Sequence, residues 1–476
     1  MNDQRSHDHL CRRAFLKGAA GGAAAFGLQG LLGRVASASS IGLSGLGGPL
    51  ASAKHVILVF MNGGVSQLDM FDHKPMLAKR RGQEIPASIL RNRGVLDATK
   101  ERGAYPVVGS KFAFTRDKKT GMHFSELVPN IARVADKITM VQTLQTDFVL
   151  HESAISTLLT GTQLLGRPSW GSWVSYGLGS ANENIPEFVV LLSGGQFDAP
   201  MQPRLWGAGF LPGRFQGVKF RSGKSPVLDV HTPKGVTKAS RESVLSALEE
   251  LDQMEAERTG DPDVLTRIKS YEMAAKMQTS IPELTDISGE PESVRELYGA
   301  EPGKPSYASN CLQARRLVER GVRFVQVCDG GWDHHGNLPR SLPRKCKTID
   351  QPIGALLQDL KDRDLLDDTI VMMMGEFGRA PICEGGLSHD RYGRDHNGRV
   401  GSAIVAGGGF QKGLTYGTTD DWGWRVAEDP VHIHDLQATV LHQLGHDHEK
   451  LVVRHQGRDF RLTDVGGRVV REILEA

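Results

Sequence analysis

VRFVQVCDGGWDHHGN, residues 322–337, decides how this chain is read. Val322 to Val327 is a short β-type run, and the glycines after it announce a turn. That turn holds Asp329, Asp333, His334, His335 and Asn337. Asp333 and His335 lie two residues apart, so in extended backbone they point the same way. An apolar strand that ends in carboxylate and imidazole is how a parallel sheet presents chemistry at its carboxyl edge.

Similar runs recur on both sides. Strands are predicted at His55–Phe60, Ile138–Gln142, Glu187–Leu192, Thr369–Met374 and Ser402–Ala406. Helical spacing is predicted at 124–135, 151–159, 307–320, 349–361, 434–444 and 465–474. Apolar strands alternating with helices predict an α/β fold, a mostly parallel sheet covered by helices on both faces.

In such a sheet the residues just past each strand carry the chemistry. After Phe60 come Asn62-Gly63-Gly64, with Asp69 and Asp72 beyond; after Met374 come Glu376-Phe377-Gly378-Arg379. Arg394-Asp395-His396-Asn397 sits just before the strand at Ser402. Imidazole with carboxylate suits zinc or another transition metal, whereas oxygen alone would suit calcium or magnesium. His151 opens a helix that closes at Thr160-Gly161, which places it where a helix N-terminus favours anions. Of the five histidines from His432 to His448, His432 and His434 are two apart and so not on one helical face, and His446-Asp447-His448 reads as a solvated turn.

With 57 Lys+Arg against 55 Asp+Glu in 476 residues, the chain lacks the basic excess of a nucleic-acid binder. Aromatics at 6% are too few for a base-stacking groove. Five cysteines do not make a disulfide scaffold.

Residues 1–38 read as a twin-arginine signal peptide: Arg12-Arg13, a weakly apolar Gly/Ala segment, then Ala36-Ser37-Ala38. Lys17 and Gln29 interrupt the segment, so no stable membrane span is expected. Such a signal implies export of the folded chain, by the twin-arginine machinery, to the periplasm or beyond. Residues 39–53 read as a flexible lead-in. Residues 54–476 read as one domain with a loop-rich insertion (73–120) and a helical one (240–300).

The segment HESAISTLLTG (151–161) resembles the part of sulfatases where a modified Cys or Ser opens a helix ending in Leu-Leu-Thr-Gly. More closely, MNGGVSQLDMFDHKP, GWDHHGN, GEFGRAP, GRDHNG and AGGGFQKGLTYGTTDDWG resemble domain-of-unknown-function family 1501. That is a secreted family with twin-arginine signals, related to the sulfatase/alkaline phosphatase superfamily. The resemblance implies an alkaline phosphatase/sulfatase-like fold and a divalent metal. It also implies departures: Asn62-Gly63 stands where the superfamily has a metal-binding Asp, and Glu376-Phe377 replaces an Asp-His pair. His151 stands at the nucleophile position, so the covalent phospho- or sulfo-enzyme route lacks its nucleophile.

The expectation from residues and resemblance together is an extracytoplasmic hydrolase of phosphate or sulfate esters that uses metal-bound hydroxide. Asp333, His335, His396, Glu376 and Asp395 are the expected metal ligands. His151, Glu376 and Arg379 are the expected catalytic groups, Arg379 steadying an anionic ester or a sulfated or phosphorylated polymer. The alternative is a non-catalytic member of the superfamily that acts in binding or assembly.

Overall fold

The architecture comes from a computed structural model. It describes residues 49–90, 104–182, 184–193, 205–220, 237–259, 277 and 281–476. The signal peptide, most of the lead-in and residues 260–276 and 278–280 of the helical insertion lie outside the described residues.

Eleven strands position the site: β1 (His55–Met61), β2 (Ile138–Gln145), β3 (Phe188–Ser193), β4 (Val218–Phe220), β5 (Phe324–Asp329), β6 (Thr369–Met374), β7 (Gly378–Glu384), β8 (Gly393–Asn397), β9 (Gly401–Ala406), β10 (Leu414–Tyr416) and β11 (Val431–His432). The main sheet runs β10-β2-β9-β6-β1-β5-β3-β4, with β11 also on β2. β7 and β8 form a separate antiparallel pair. All seven residues of β1 are buried. Ile57, Val59 and Met61 enter one core, and Val56, Leu58 and Phe60 enter the other. A strand with two apolar faces needs cover on both, and two cores supply it.

Every pairing in the main sheet is parallel except those of β9, which runs antiparallel to both β2 and β6. This reversal has a functional consequence. A segment that precedes a parallel strand lies at the amino edge, but the one that precedes β9 lies at the carboxyl edge, beside Asp333 and Glu376.

Seven helices matter here: α1 (Gln67–Met70), α2 (His151–Thr160), α3 (Trp170–Leu178), α4 (Lys238–Thr259), α5 (Tyr307–Glu319), α6 (Leu338–Asp362) and α7 (Ile433–Gln443). α6 starts eleven residues before the expected Ile349, despite Pro343 and Pro352 inside it. Burial of Leu338, Leu342, Cys346 and Ile349 on one side outweighs the proline penalty. The helix expected over 124–135 is instead a short strand at His123–Ser125 and a short helix at Pro129–Arg133. The helix expected over 465–474 shrinks to one 3-10 turn at Arg471–Ile473. His446 and His448 are buried, which corrects the solvated turn; Nδ1 of His448 lies 3.0 Å from the Thr463 hydroxyl. The end of the lead-in is tied down, since Ser52 and Ala53 donate backbone N–H to the Gln443 carbonyl. No helix among the described residues is long and apolar enough to cross a membrane.

Candidate metal centre

Three imidazoles and a carboxylate meet at the carboxyl edge. Ligand atoms of His151, Asp333, His335 and His396 all lie within 4.8 Å of one another. Asp333 and His335 come from the turn after β5, His396 from β8 and His151 from the start of α2. Asp333 is central: its Oδ1 lies 2.9 Å from His335 Nε2 and 3.3 Å from His396 Nε2, and its Oδ2 is 3.4 Å from His151 Nε2.

Each ring is held from behind by its other nitrogen. Nδ1 of His151 lies 2.6 Å from Glu376, Nδ1 of His335 lies 2.5 Å from Glu384, and Nδ1 of His396 lies 2.6 Å from the Val149 carbonyl. A carbonyl or an ionised carboxylate only accepts, so each Nδ1 carries a proton, and a ring that gives up its second proton turns a lone pair on Nε2 toward Asp333. This is the outer support that orients metal-bound histidines. Nε2 of His151 is buried with Asp333 Oδ2 at 3.4 Å, and Nε2 of His335 and His396 lie 3.0 Å apart. Nitrogens facing each other at that distance need a cation between them, either a proton or a metal. The donor set fits zinc or another transition metal.

Protonation in the metal-free protein reflects the same geometry. Burial opposes charge on His151, but its hydrogen bonds to Asp333 and Glu376 prevail and raise its pKa to about 9. Hydrogen bonds to Asp333 and Glu384 raise His335 to about 9 as well. For His396 burial prevails and lowers the pKa. Burial would raise Asp333, yet hydrogen bonds from the three rings and the charge of Arg379 hold it far below the carboxylate range.

The remaining expected residues sit around this cluster. Glu376 is buried and supports the cluster from outside it. Both its oxygens accept the Gly63 N–H, at 3.0 and 3.1 Å, and one of them holds His151. Asp395 falls in a neighbouring group with His335 and Glu384. Arg379 corrects the expectation of an anion clamp. It is buried, and its N–H groups go to the carbonyls of Gly63, Gly64 and Arg394 and to Asp333 Oδ1 at 2.5 Å. It holds the Asp333 carboxylate in place.

Sequence reading missed Glu384 and the Val149 carbonyl. Glu384 is recruited by the β7–β8 pairing, where it sits opposite Gly393 while Arg379 sits opposite His396. Only a predicted hairpin over 378–397 could have revealed it.

The sequence model for "Protein of unknown function (DUF1501)" matches residues 53–474. The chain belongs to the DUF1501 family. A comparison with curated proteins finds no match. Among solved structures, the chain is similar to a phosphonate monoester hydrolase from Silicibacter pomeroyi at 10% identity, covering 89% of this chain and 77% of that one, TM-score 0.32. It is similar to a sulfatase from Pseudoalteromonas sp. at 11% identity, covering 87% and 70%, TM-score 0.32. It is also similar to the TAB5 alkaline phosphatase, in a mutant with bound magnesium, at 12% identity, covering 75% and 92%, TM-score 0.30.

Proposed function

We propose that this DUF1501 chain is an extracytoplasmic, metal-dependent hydrolase of phosphate or sulfate esters. The observation that carries the reading is the convergence on Asp333 of three histidines, each fixed through Nδ1 by its own acceptor. A bound divalent ion would supply Lewis acidity toward an ester oxygen and lower the pKa of water. The protein's own residues do the rest. Asp333, His335, His396 and His151 would hold the ion, and Glu376 and Glu384 keep two of the rings in the tautomer that offers Nε2. Arg379 keeps the Asp333 carboxylate from swinging away. The Asp333 side chain is 41% exposed, so the cluster is open to an ester arriving from solvent.

The purified chain is expected to hold about one divalent ion and to cleave aryl phosphates or sulfates slowly, without a burst phase. Position 151 offers an imidazole held by Glu376, with no hydroxyl or thiol to form an ester intermediate. Elemental analysis and pre-steady-state kinetics check both halves. A folded chain that takes up no metal ends the proposal, and trapping a phospho- or sulfo-enzyme ends its mechanism. Metal uptake without hydrolysis of any ester would favour the binding-protein reading, which gains support from Arg379 being committed to protein acceptors.

The compartment belongs to the same proposal. Loss of residues 1–38 on twin-arginine export would leave residues 54–476 as the working domain. Replacing Arg12 and Arg13 by lysine should retain the full-length chain in the cytoplasm, because the receptor reads the arginines and not charge alone. Cell fractionation checks this, and normal export of the double mutant would sink the assignment.

A further inference from the structure

Asp69, eight residues past the end of β1, is fully buried and stands outside the ligand cluster. We propose that Asp69 is a positioning residue of the metal centre, acting through Arg394; the inference rests on the metal reading above. Asp69 lies on α1, shortly after the Asn62-Gly63-Gly64 turn. Its Oδ2 accepts from Arg394 Nε at 2.6 Å and from the Ser66 hydroxyl at 2.6 Å, and its Oδ1 accepts from the Tyr392 hydroxyl at 3.0 Å. Arg394 is equally buried, and its Nη1 donates to the carbonyls of Val108 and Ala380.

The backbone of Arg394 links the ligand-bearing segments. Its N–H donates to the His334 carbonyl at 3.0 Å, between Asp333 and His335. Its carbonyl accepts from Arg379 Nη1 at 3.0 Å, the same guanidinium that holds Asp333. His396 is two residues further along β8. Gln67, at the start of α1, adds a second tie through the Arg379 backbone, donating at 2.9 Å and accepting at 2.7 Å. The short helix therefore fixes the relative placement of residues 333–335, 376–379 and 394–396, while touching none of the ligand atoms.

A buried guanidinium that loses its carboxylate has to find another acceptor or reach water. Asp69→Asn keeps the shape and removes the charge, so Arg394 should shift and carry β8, with His396, away from Asp333. Supports outside the ligand shell change metal affinity by roughly 10–100-fold. The test is zinc affinity by chelator competition for wild type, Asp69→Asn and Asp359→Asn. Asp359 holds the buried Arg315, Arg363 and the Tyr298 hydroxyl between α5 and α6, so its loss breaks a buried polar network that contains no ligand or support of the centre. The expected result is a zinc affinity lowered at least tenfold in Asp69→Asn and unchanged in Asp359→Asn, with similar losses of metal-free melting temperature. Equal affinity losses in the two variants, or none in Asp69→Asn, would overturn the proposal. If Asp69→Asn does not fold, Arg394→Lys, which keeps the cation and loses the fork, is measured the same way and judged by the same outcomes. A wild-type chain that binds no zinc defeats the metal reading itself and is recognised before any variant is made.

Discussion

Asp333→Ala is expected to empty the metal site and to lower ester hydrolysis by roughly 1,000-fold or more, since a Lewis-acidic ion is worth several kcal/mol in such a reaction and each ~1.4 kcal/mol is tenfold. No other change at the centre should do as much. Asp333 is the one carboxylate that all three Nε2 atoms face, and it is the group that Arg379 orients. The fold should survive, because the side chain is 41% exposed and the turn is held by backbone ties such as Asn62 N–H to the Asp329 carbonyl.

The same variant should alter the response to pH. In the metal-free wild type, the pKa values of His151 and His335 are raised from 6.5 to about 9. A raised folded-state value stabilises the protein fully below about pH 6.5, and that stability is lost as the pH rises through about 9. Metal affinity should run the opposite way, climbing toward pH 9 as the two protons cease to compete. Without Asp333 both trends should flatten. Melting curves of the metal-free chains between pH 6 and 10, with zinc titrations over the same range, check this. A steep pH dependence that persists in Asp333→Ala would show that other groups carry it.

How far the sequence alone reaches depends on which interactions are local. β6 is legible to the residue because Thr369–Met374 is a continuous apolar run, buried at every position. Asp333, His335 and His151 are legible because each stands just after a strand or at the start of a helix. His396 is legible as a ligand type, but the reversal of β9 that brings it to the carboxyl edge has no signature in the chain. The parts that stay hidden depend on partners distant in the chain. Glu384 reaches His335 only once β7 pairs with β8, and the Val149 carbonyl has no side-chain signature at all. Arg379 looks like an anion clamp because a lone arginine after a strand gives no hint of the carbonyls that claim it. The early start of α6 is masked by Pro343, whose cost only tertiary burial offsets.

Gly63 shows how tightly the turn after β1 is bound to the ligand turn after β5. Gly63 has φ +123°, a conformation open to glycine and strained for alanine. A Cβ there would lie 2.5 Å from the Asp333 backbone nitrogen and 2.8 Å from the Trp332 carbonyl carbon. Both obstacles are backbone, so neither can rotate aside. The N–H of the same residue is held by Glu376, and its carbonyl by Arg379. Any shift that relieves the clash therefore pulls on the supports of both His151 and Asp333. Strain and overpacking together predict a loss of about 3–5 kcal/mol in Gly63→Ala, with metal binding lost alongside stability. Gly64→Ala makes the comparison: its φ is +72°, and its Cβ would meet side chains only, the buried Phe377 ring at 2.5 Å and Arg379 Nε at 3.3 Å. It should cost less, because side chains give way where backbone does not. Urea denaturation of the metal-free variants and elemental analysis decide between them. A Gly63→Ala chain that loses under ~1 kcal/mol and still binds zinc would mean that the two turns can separate, and that the cluster is not assembled by their contact.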